Sequence, residues 1–254
     1  MAKFKVRQVN VLGCRNALEA AVRRGVKKFV YTSSITAFQD FSQLTPHTEE
    51  DREKHPPIQH WCYSTTKREA DDMVRAANGV CGLKTVCLRP TIIYGPGEKS
   101  FTPKILQGYP LVKIDLPYSP CYSGNLAVWH SLADRSLDIN PEVTAGKGYF
   151  VADDNEMRRF NDYANFHFMS LKKEPKFISL RLLYLATRIP TLLDWYTAGK
   201  FLEFSNVPND LAYQAFCGGA PFNVERGIKE LGYQRKYSPE QITATLRKYY
   251  GIKE

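Results

Sequence analysis

The sequence predicts an α/β fold with a parallel sheet and helical crossovers. Short apolar runs, Lys28-Phe29-Val30-Tyr31-Thr32 and Lys84-Thr85-Val86-Cys87-Leu88, read as buried strands. Helical stretches at 7–24 and 63–78 alternate with them. Each stretch closes on a glycine, Gly25 or Gly79, where a helix C-terminus favours a residue free to take positive φ.

In the first helix Val11, Leu18 and Val22 form an apolar stripe, with Arg15, Glu19, Arg23 and Arg24 among them. The strand 28–32 delivers Ser33-Ser34 at its carboxyl end, where ligands collect in open α/β sheets. Residues 39–60, with Pro46, Pro56 and Pro57, read as a polar loop. The Tyr63 helix follows, then strand 84–88, leading into Arg89-Pro90-Thr91-Ile92-Ile93-Tyr94-Gly95-Pro96-Gly97. Beyond residue 100 a helix near 125–135 and a strand at 148–152 are expected. Ser238-Pro239-Glu240-Gln241 supplies an N-cap, a proline at the first helical position and a capping-box glutamine, so a last helix should run to about Tyr250.

At 254 residues the chain can form one large domain or two small ones. A net charge of +9 favours an anionic partner, whether a cofactor phosphate, a membrane surface or a nucleic acid. No zinc-finger spacing and no stacking-aromatic RNA motif is present, so no nucleic-acid partner is expected. Six cysteines without a Cys-x-x-Cys pattern read as thiols in a reducing compartment, and the five histidines form no His-Glu-x-x-His, so no metal site is expected. The opening Met-Ala-Lys-Phe-Lys-Val-Arg lacks the apolar core of a signal peptide.

Chemistry concentrates at Tyr63-Ser64-Thr65-Thr66-Lys67. A tyrosine and a lysine four residues apart share a helix face, and an ammonium beside a phenol lowers the phenol's pKa. A serine hydroxyl opposite can orient a carbonyl or alcohol. Together they can move a proton during hydride exchange with a nicotinamide. The Tyr-x-x-x-Lys spacing occurs four times, but Pro110, Gly199 and Gly251 interrupt the pairs at Tyr109, Tyr196 and Tyr249. Tyr63 alone opens a clean helical run.

Four segments in order carry a family resemblance: Val9-Asn10-Val11-Leu12-Gly13-Cys14-Arg15-Asn16-Ala17-Leu18, Phe29-Val30-Tyr31-Thr32-Ser33-Ser34, Tyr63…Lys67, and Leu88-Arg89-Pro90…Tyr94-Gly95-Pro96-Gly97. The chain resembles the extended short-chain dehydrogenase/reductase superfamily. Pro221-Phe222-Asn223…Lys229-Glu230-Leu231-Gly232-Tyr233 narrows this to the 3β-hydroxysteroid dehydrogenase/isomerase branch. The resemblance implies a Rossmann-type sheet and an NAD(P)-dependent oxidation of a ring alcohol on a steroid or sterol. It implies Tyr63 as acid/base, Lys67 on the nicotinamide ribose, and Ser34, ahead of Ser33, on the substrate oxygen. Pro90 and Ile93 would pack near the nicotinamide, and Asn10 would support the site. Cys14 stands where the family has threonine, and Gly124 where it has aspartate. Relatives dimerise through helices matching 7–24 and 63–78, so a homo- or heterodimer is implied. Other readings are a sugar epimerase, a flavonoid-type reductase, or a non-catalytic dimerisation partner.

No Gly-x-x-Gly-x-x-Gly turn, which cradles a pyrophosphate on a helix N-terminus, occurs in the sequence. The expectation is a partial Rossmann-type parallel sheet lacking its first βαβ units. Strand 28–32 would then be an edge, and cofactor binding by this chain alone would be weak. Residues 1–100 would hold the catalytic half of the dinucleotide-binding domain. Residues 101–254 would form a mostly helical substrate-binding region, with 148–152 returning to the sheet. The apolar block 177–196 is broken by Arg181, Arg188 and Pro190, too short to span a membrane. It suits either a sterol-sized pocket or a membrane interface, with a cytoplasmic protein peripheral to the endoplasmic reticulum membrane in the second case.

Overall fold

The computed structural model describes residues 3–38, 48–54, 62–99, 102–108, 111–113, 117–153, 158–179, 182 and 222–252. The chain opens with α1 (Lys3–Arg7), a π-helical turn (Gln8–Leu12) and α2 (Gly13–Arg23). β1 (Lys28–Thr32), a 3-10 turn (Ile35–Phe38), α3 (Glu49–Glu53), α4 (Cys62–Ala76) and β2 (Lys84–Pro90) follow. Then come β3 (Ile93–Tyr94), α5 (Thr102–Leu106), β4 (Leu111–Lys113), β5 (Pro117–Tyr118) and β6 (Cys121–Tyr122). α6 (Ser123–Ile139), α7 (Pro141–Thr144), β7 (Lys147–Val151), β8 (Arg158–Arg159), α8 (Phe160–Ser170) and β9 (Phe177–Ser179) complete the middle. Near the end lie α9 (Glu225–Leu231) and α10 (Pro239–Tyr250).

The principal sheet is parallel, in the order β1-β2-β7. Val30 faces Val86, and Leu88 faces Tyr149. Both faces are covered, as parallel sheets require. On one, Cys14 and Leu18 of α2 and Ala70 and Val74 of α4 bury against Leu83 and Cys87, with Phe29 and Tyr31 packed on them. On the other, Leu126, Trp129, Ala133 and Leu137 of α6 cover Val86, Leu88, Tyr149 and Val151. Burying a side chain such as Leu137 completely contributes roughly 1.5–3 kcal/mol. Among the described residues β1 pairs with β2 alone, the edge position expected from the sequence. For that reason β1 is half-buried along its length, not buried as its apolar run predicts.

α9 closes the α6 face, where the Tyr233 ring stacks on Trp129 at 3.8 Å. A second core gathers Tyr94, Ile105, Leu111, Phe168, Leu171, Ile242 and Leu246. β3 pairs with β6 and β4 with β9, both parallel, and β5 pairs with β8 antiparallel. The expected capping box of the last helix is present: Gln241 N–H donates to Ser238 Oγ at 3.4 Å, and Ser238 N–H to Gln241 Oε1 at 2.9 Å.

Two expectations need correction. The 39–60 segment is not loop throughout: Glu49–Glu53 is helical, because its glutamates find partners on the sheet edge and α9. The first helix is not uniform either, since residues Gln8–Leu12 widen into a π turn. The apolar block 177–196 begins as strand β9. Leu182 is 65% exposed, and the remainder lies outside the described residues.

Candidate active site

Lys67 of α4 reaches the carboxyl end of β1, from which Ser33 and Ser34 follow. Ser33 N–H donates to Leu88 O at 2.7 Å, continuing the β1-β2 ladder one residue beyond the strand. Ser34 then turns into the 3-10 segment, its Oγ 3.0 Å from Thr36 Oγ1 and accepting Thr36 N–H at 3.3 Å. That geometry makes Ser34 part of a local turn as well as a candidate substrate contact. Both serines are buried. Tyr63 sits in the first turn of α4, 40% exposed.

Lys67, one turn further on, is half-buried. Its ammonium donates to Thr32 O at 3.0 Å and to Tyr31 OH at 3.4 Å, and lies 5.1 Å from the Tyr31 ring centroid. Sequence reasoning missed Tyr31 and Thr32 as partners of Lys67. The available signal was their place immediately before Ser33-Ser34. Burial lowers the Lys67 pKa, partly offset by Cys14 and Asp71. Burial also raises the Tyr31 hydroxyl well above its ordinary value, so it stays neutral beside the ammonium. Thr32 Oγ1 meets His130 Nε2 at 2.7 Å, and His130 Nδ1 lies 2.9 Å from Leu126 O, which ties α6 to the end of β1.

Asn10 reaches α4 from the π turn. Its Nδ2 donates to Thr66 Oγ1 at 3.0 Å, and Thr66 Oγ1 in turn donates to Cys62 O at 2.6 Å and Tyr63 O at 3.0 Å. Asn10 therefore braces the turn that carries Tyr63 without itself being seen on the Tyr63 or Lys67 side chain. π turns concentrate at functional sites, and periodicity alone does not reveal them. Pro90 ends β2, buried and paired with Val151. Ile93 opens β3, half-buried and packed on the α6 face.

Beneath Lys67 lies a buried ionic network that the sequence reading did not single out. Arg89 donates to Asp71 Oδ2 at 3.0 Å and Oδ1 at 2.8 Å, and both side chains are fully buried. Arg75 Nε donates to Asp71 Oδ1 at 2.9 Å, and Arg89 reaches Glu53 at 2.8 Å. The Arg89 guanidinium stacks 3.7 Å from the Phe38 ring centroid. Burial pushes the Asp71 carboxyl up, but Arg89, the Ser33 hydroxyl and Arg75 together hold the group below its ordinary value. An arginine inside an otherwise apolar strand was the signal, since such residues are almost never buried unless paired.

At the carboxyl end of β7, Asp153 collects Tyr94 OH at 3.0 Å, Tyr122 N–H at 2.7 Å and Asn125 Nδ2 at 3.0 Å. Gly124, next to Asn125, leaves no room for a side chain: an added Cβ would stand 2.6 Å from the Tyr122 ring and 2.9 Å from Tyr237. This is the physical counterpart of the departure from aspartate noted at that position.

The described residues place no group of three or more His, Cys, Asp or Glu side chains to hold a metal. Among them no helix is long and apolar enough to cross a membrane. Cys14, Cys62, Cys81, Cys87 and Cys121 are thiols in no disulfide.

Comparison with known proteins gives the family and the fold. Residues 1–182 match the model of the 3-beta hydroxysteroid dehydrogenase/isomerase family. The chain is 31% identical over 263 residues to human 3 beta-hydroxysteroid dehydrogenase type 7, covering 92% of this chain and 68% of that protein. It is 34% identical over 153 residues to 3beta-hydroxysteroid-dehydrogenase/decarboxylase isoform 1 of Arabidopsis thaliana, covering 56% of this chain and 35% of the relative. The chain thus spans about a third of the length of that plant relative. Among solved structures, a UDP-galactose 4-epimerase superposes with a TM-score of 0.66 at 17% identity, covering 98% of this chain and 72% of that one. The dTDP-glucose 4,6-dehydratase of Streptomyces venezuelae, solved with NAD bound, superposes at 0.67 and 16%, covering 96% and 66%. At such identities the likeness shows the fold, a Rossmann-type sheet. By the family match and the human relative, the chain belongs to the 3-beta hydroxysteroid dehydrogenase/isomerase family.

Proposed function

We propose that these residues form the catalytic half of an NAD(P)-dependent oxidoreductase of the 3β-hydroxysteroid or sterol dehydrogenase type. One observation carries the reading: the half-buried Lys67 ammonium is held on the Thr32 carbonyl and Tyr31, one helical turn from the exposed Tyr63 phenol. The donor set suits the nicotinamide-ribose end of the cofactor. Lys67 can bind the ribose hydroxyls, and Pro90 and Ile93 can line the nicotinamide. When bound, the nicotinamide supplies the hydride acceptor. Tyr63 takes the proton from the substrate hydroxyl, with Ser34 donating a hydrogen bond to the same oxygen and Lys67 favouring the ionised phenol.

The test is to incubate the chain with a 3β-hydroxysteroid and saturating NAD⁺ and to follow NADH absorbance. Slow, steroid-dependent formation that disappears in Tyr63→Phe supports the reading. No formation, or formation that survives Tyr63→Phe, sinks it.

A second reading is a dimerisation partner of a full-length relative. Val9 is 68% and Leu12 42% exposed on the π turn, next to α4, and favour it. Failure to co-elute with such a relative on size exclusion removes that reading. The apolar sequence of 177–196, with the exposed Leu182, suits contact with a membrane surface. Partition onto anionic liposomes tests this, with loss in Leu182→Asp as the control.

A further inference from the structure

Lys67 and Asp71 are four residues apart on α4, the spacing at which an ammonium and a carboxylate on one helix face pair. They do not pair here. Asp71 accepts Arg89 through both oxygens, at 3.0 and 2.8 Å, and Arg75 Nε at 2.9 Å, and its backbone oxygen faces the Cys87 thiol at 3.7 Å. Lys67 turns to two neutral oxygens, Thr32 O and Tyr31 OH. The Arg89 side chain crosses the β7 strand at Gly148, where an added Cβ would stand 2.2 Å from the guanidinium carbon. Phe38 covers its face. Strand β2, strand β7 and the 3-10 turn thus all hold the guanidinium on Asp71.

We infer that Arg89 is a positioning residue for Lys67: by engaging Asp71 on both oxygens, it keeps the carboxylate off the ammonium and leaves Lys67 directed at the end of β1. The purpose assigned to this arrangement rests on the proposed role of Lys67. The arrangement itself does not. An ammonium locked in a buried ion pair four residues away would be drawn from the Tyr63 turn and would lose the donors that a ribose or phenolate needs. The groups that act on the Lys67 charge are Cys14 from α2 and Asp71 from its own helix, and the Tyr31 hydroxyl from β1 lies 3.4 Å from the ammonium. Of these, Asp71 is the carboxylate, and an opposite charge within reach favours the charged amine.

The measurement is the titration of Lys67 by NMR in protein carrying ¹³Cε-lysine, with the resonance assigned by Lys67→Arg. Wild-type Lys67 should titrate below the ordinary lysine value of about 10.4. Arg89→Gln should raise that midpoint by about one unit or more as Asp71 turns to Lys67. Gly148→Ala, which displaces the guanidinium while keeping its charge, should raise it in the same direction. Arg89→Gln combined with Asp71→Asn should bring it back to the wild-type value or lower, and Arg89→Lys should raise it less than Arg89→Gln. A purely structural role would lower thermal stability in these variants without this pattern at Lys67. A wild-type midpoint above the ordinary value overturns the inference, and this result is readable even if every variant fails to fold. So does an unchanged midpoint in a folded Arg89→Gln or Gly148→Ala protein, or a rise that persists in the double variant. No cofactor or steroid is present in the experiment. A lowered Lys67 midpoint without turnover would sink the dehydrogenase reading and leave this inference standing.

Discussion

Gly148 stands directly against Arg89, so close that a single methyl group on the glycine would fall 2.2 Å from the guanidinium carbon. The glycine on β7 makes the slot in which the buried Arg89–Asp71 pair forms, and that pair fastens α4, with Tyr63 and Lys67, to the centre of the sheet.

Gly148→Ala should therefore destabilise the protein far more than a methyl group in open space. Breaking a buried ion pair from one side costs about 3–5 kcal/mol. Gly148→Ala displaces the guanidinium without removing its charge, so urea unfolding followed by circular dichroism should show a loss of up to that range. Replacing both charges, as Asp71→Leu with Arg89→Met, should recover most of what Asp71→Leu alone loses, since the desolvation penalty goes with the charges.

Glu49 is buried and accepts the Phe150 N–H at 2.8 Å on the outer edge of β7. Burial raises its carboxyl to about 7, against the pull of the Phe150 amide and of Arg226 and Arg89. A folded-state pKa above the unfolded one means that the protonated form is favoured on folding. The corresponding stability is present below the unfolded value of about 4.3 and is lost as pH rises through about 7. The loss is roughly 4 kcal/mol at about 1.4 kcal/mol per unit. Urea midpoints at acid and alkaline pH should differ accordingly in wild type, and the difference should shrink in Glu49→Gln, which keeps the acceptor for Phe150.

Tyr63→Phe should leave the fold intact, because the ring is 40% exposed and the hydroxyl can be lost without opening a cavity in the core. Any alcohol oxidation the protein supports should fall by about 10²–10⁴-fold, the usual contribution of a positioned acid/base. Comparison of thermal melting with steroid-dependent NADH formation separates the two effects.

Ser238→Ala removes the N-cap of α10 and with it the Gln241 N–H acceptor. The expected cost is about 1 kcal/mol. A melting temperature lowered by a few degrees, with an unchanged circular dichroism spectrum, is the outcome to look for.

Local signals served well where one residue's neighbours in sequence are its neighbours in space. Gly25 and Gly79 ended helices, and Ser238 and Gln241 capped one; of the expected stripe, Leu18 is buried and Val22 half-buried on the sheet side of α2, while Val11 is buried in the π turn. The two strands and the Tyr63 helix were legible because apolar periodicity depends on which face meets the core. Glu49–Glu53 was not, because an acidic five-residue helix has no apolar stripe and is fixed by contacts about a hundred residues or more away, at Phe150 and Arg226.

The sequence by itself determined the chemistry on offer: a tyrosine and a lysine on one helix face, serines after a strand, and a family in which that order recurs. It could not determine where the Lys67 ammonium goes. Helix spacing offers Asp71 as a partner, and the tertiary structure withholds it, because Arg89 arrives from β2 through the gap left by Gly148 on β7. Side-chain pairing in a buried site is decided by which charges converge there, and those charges come from strands that only folding brings together.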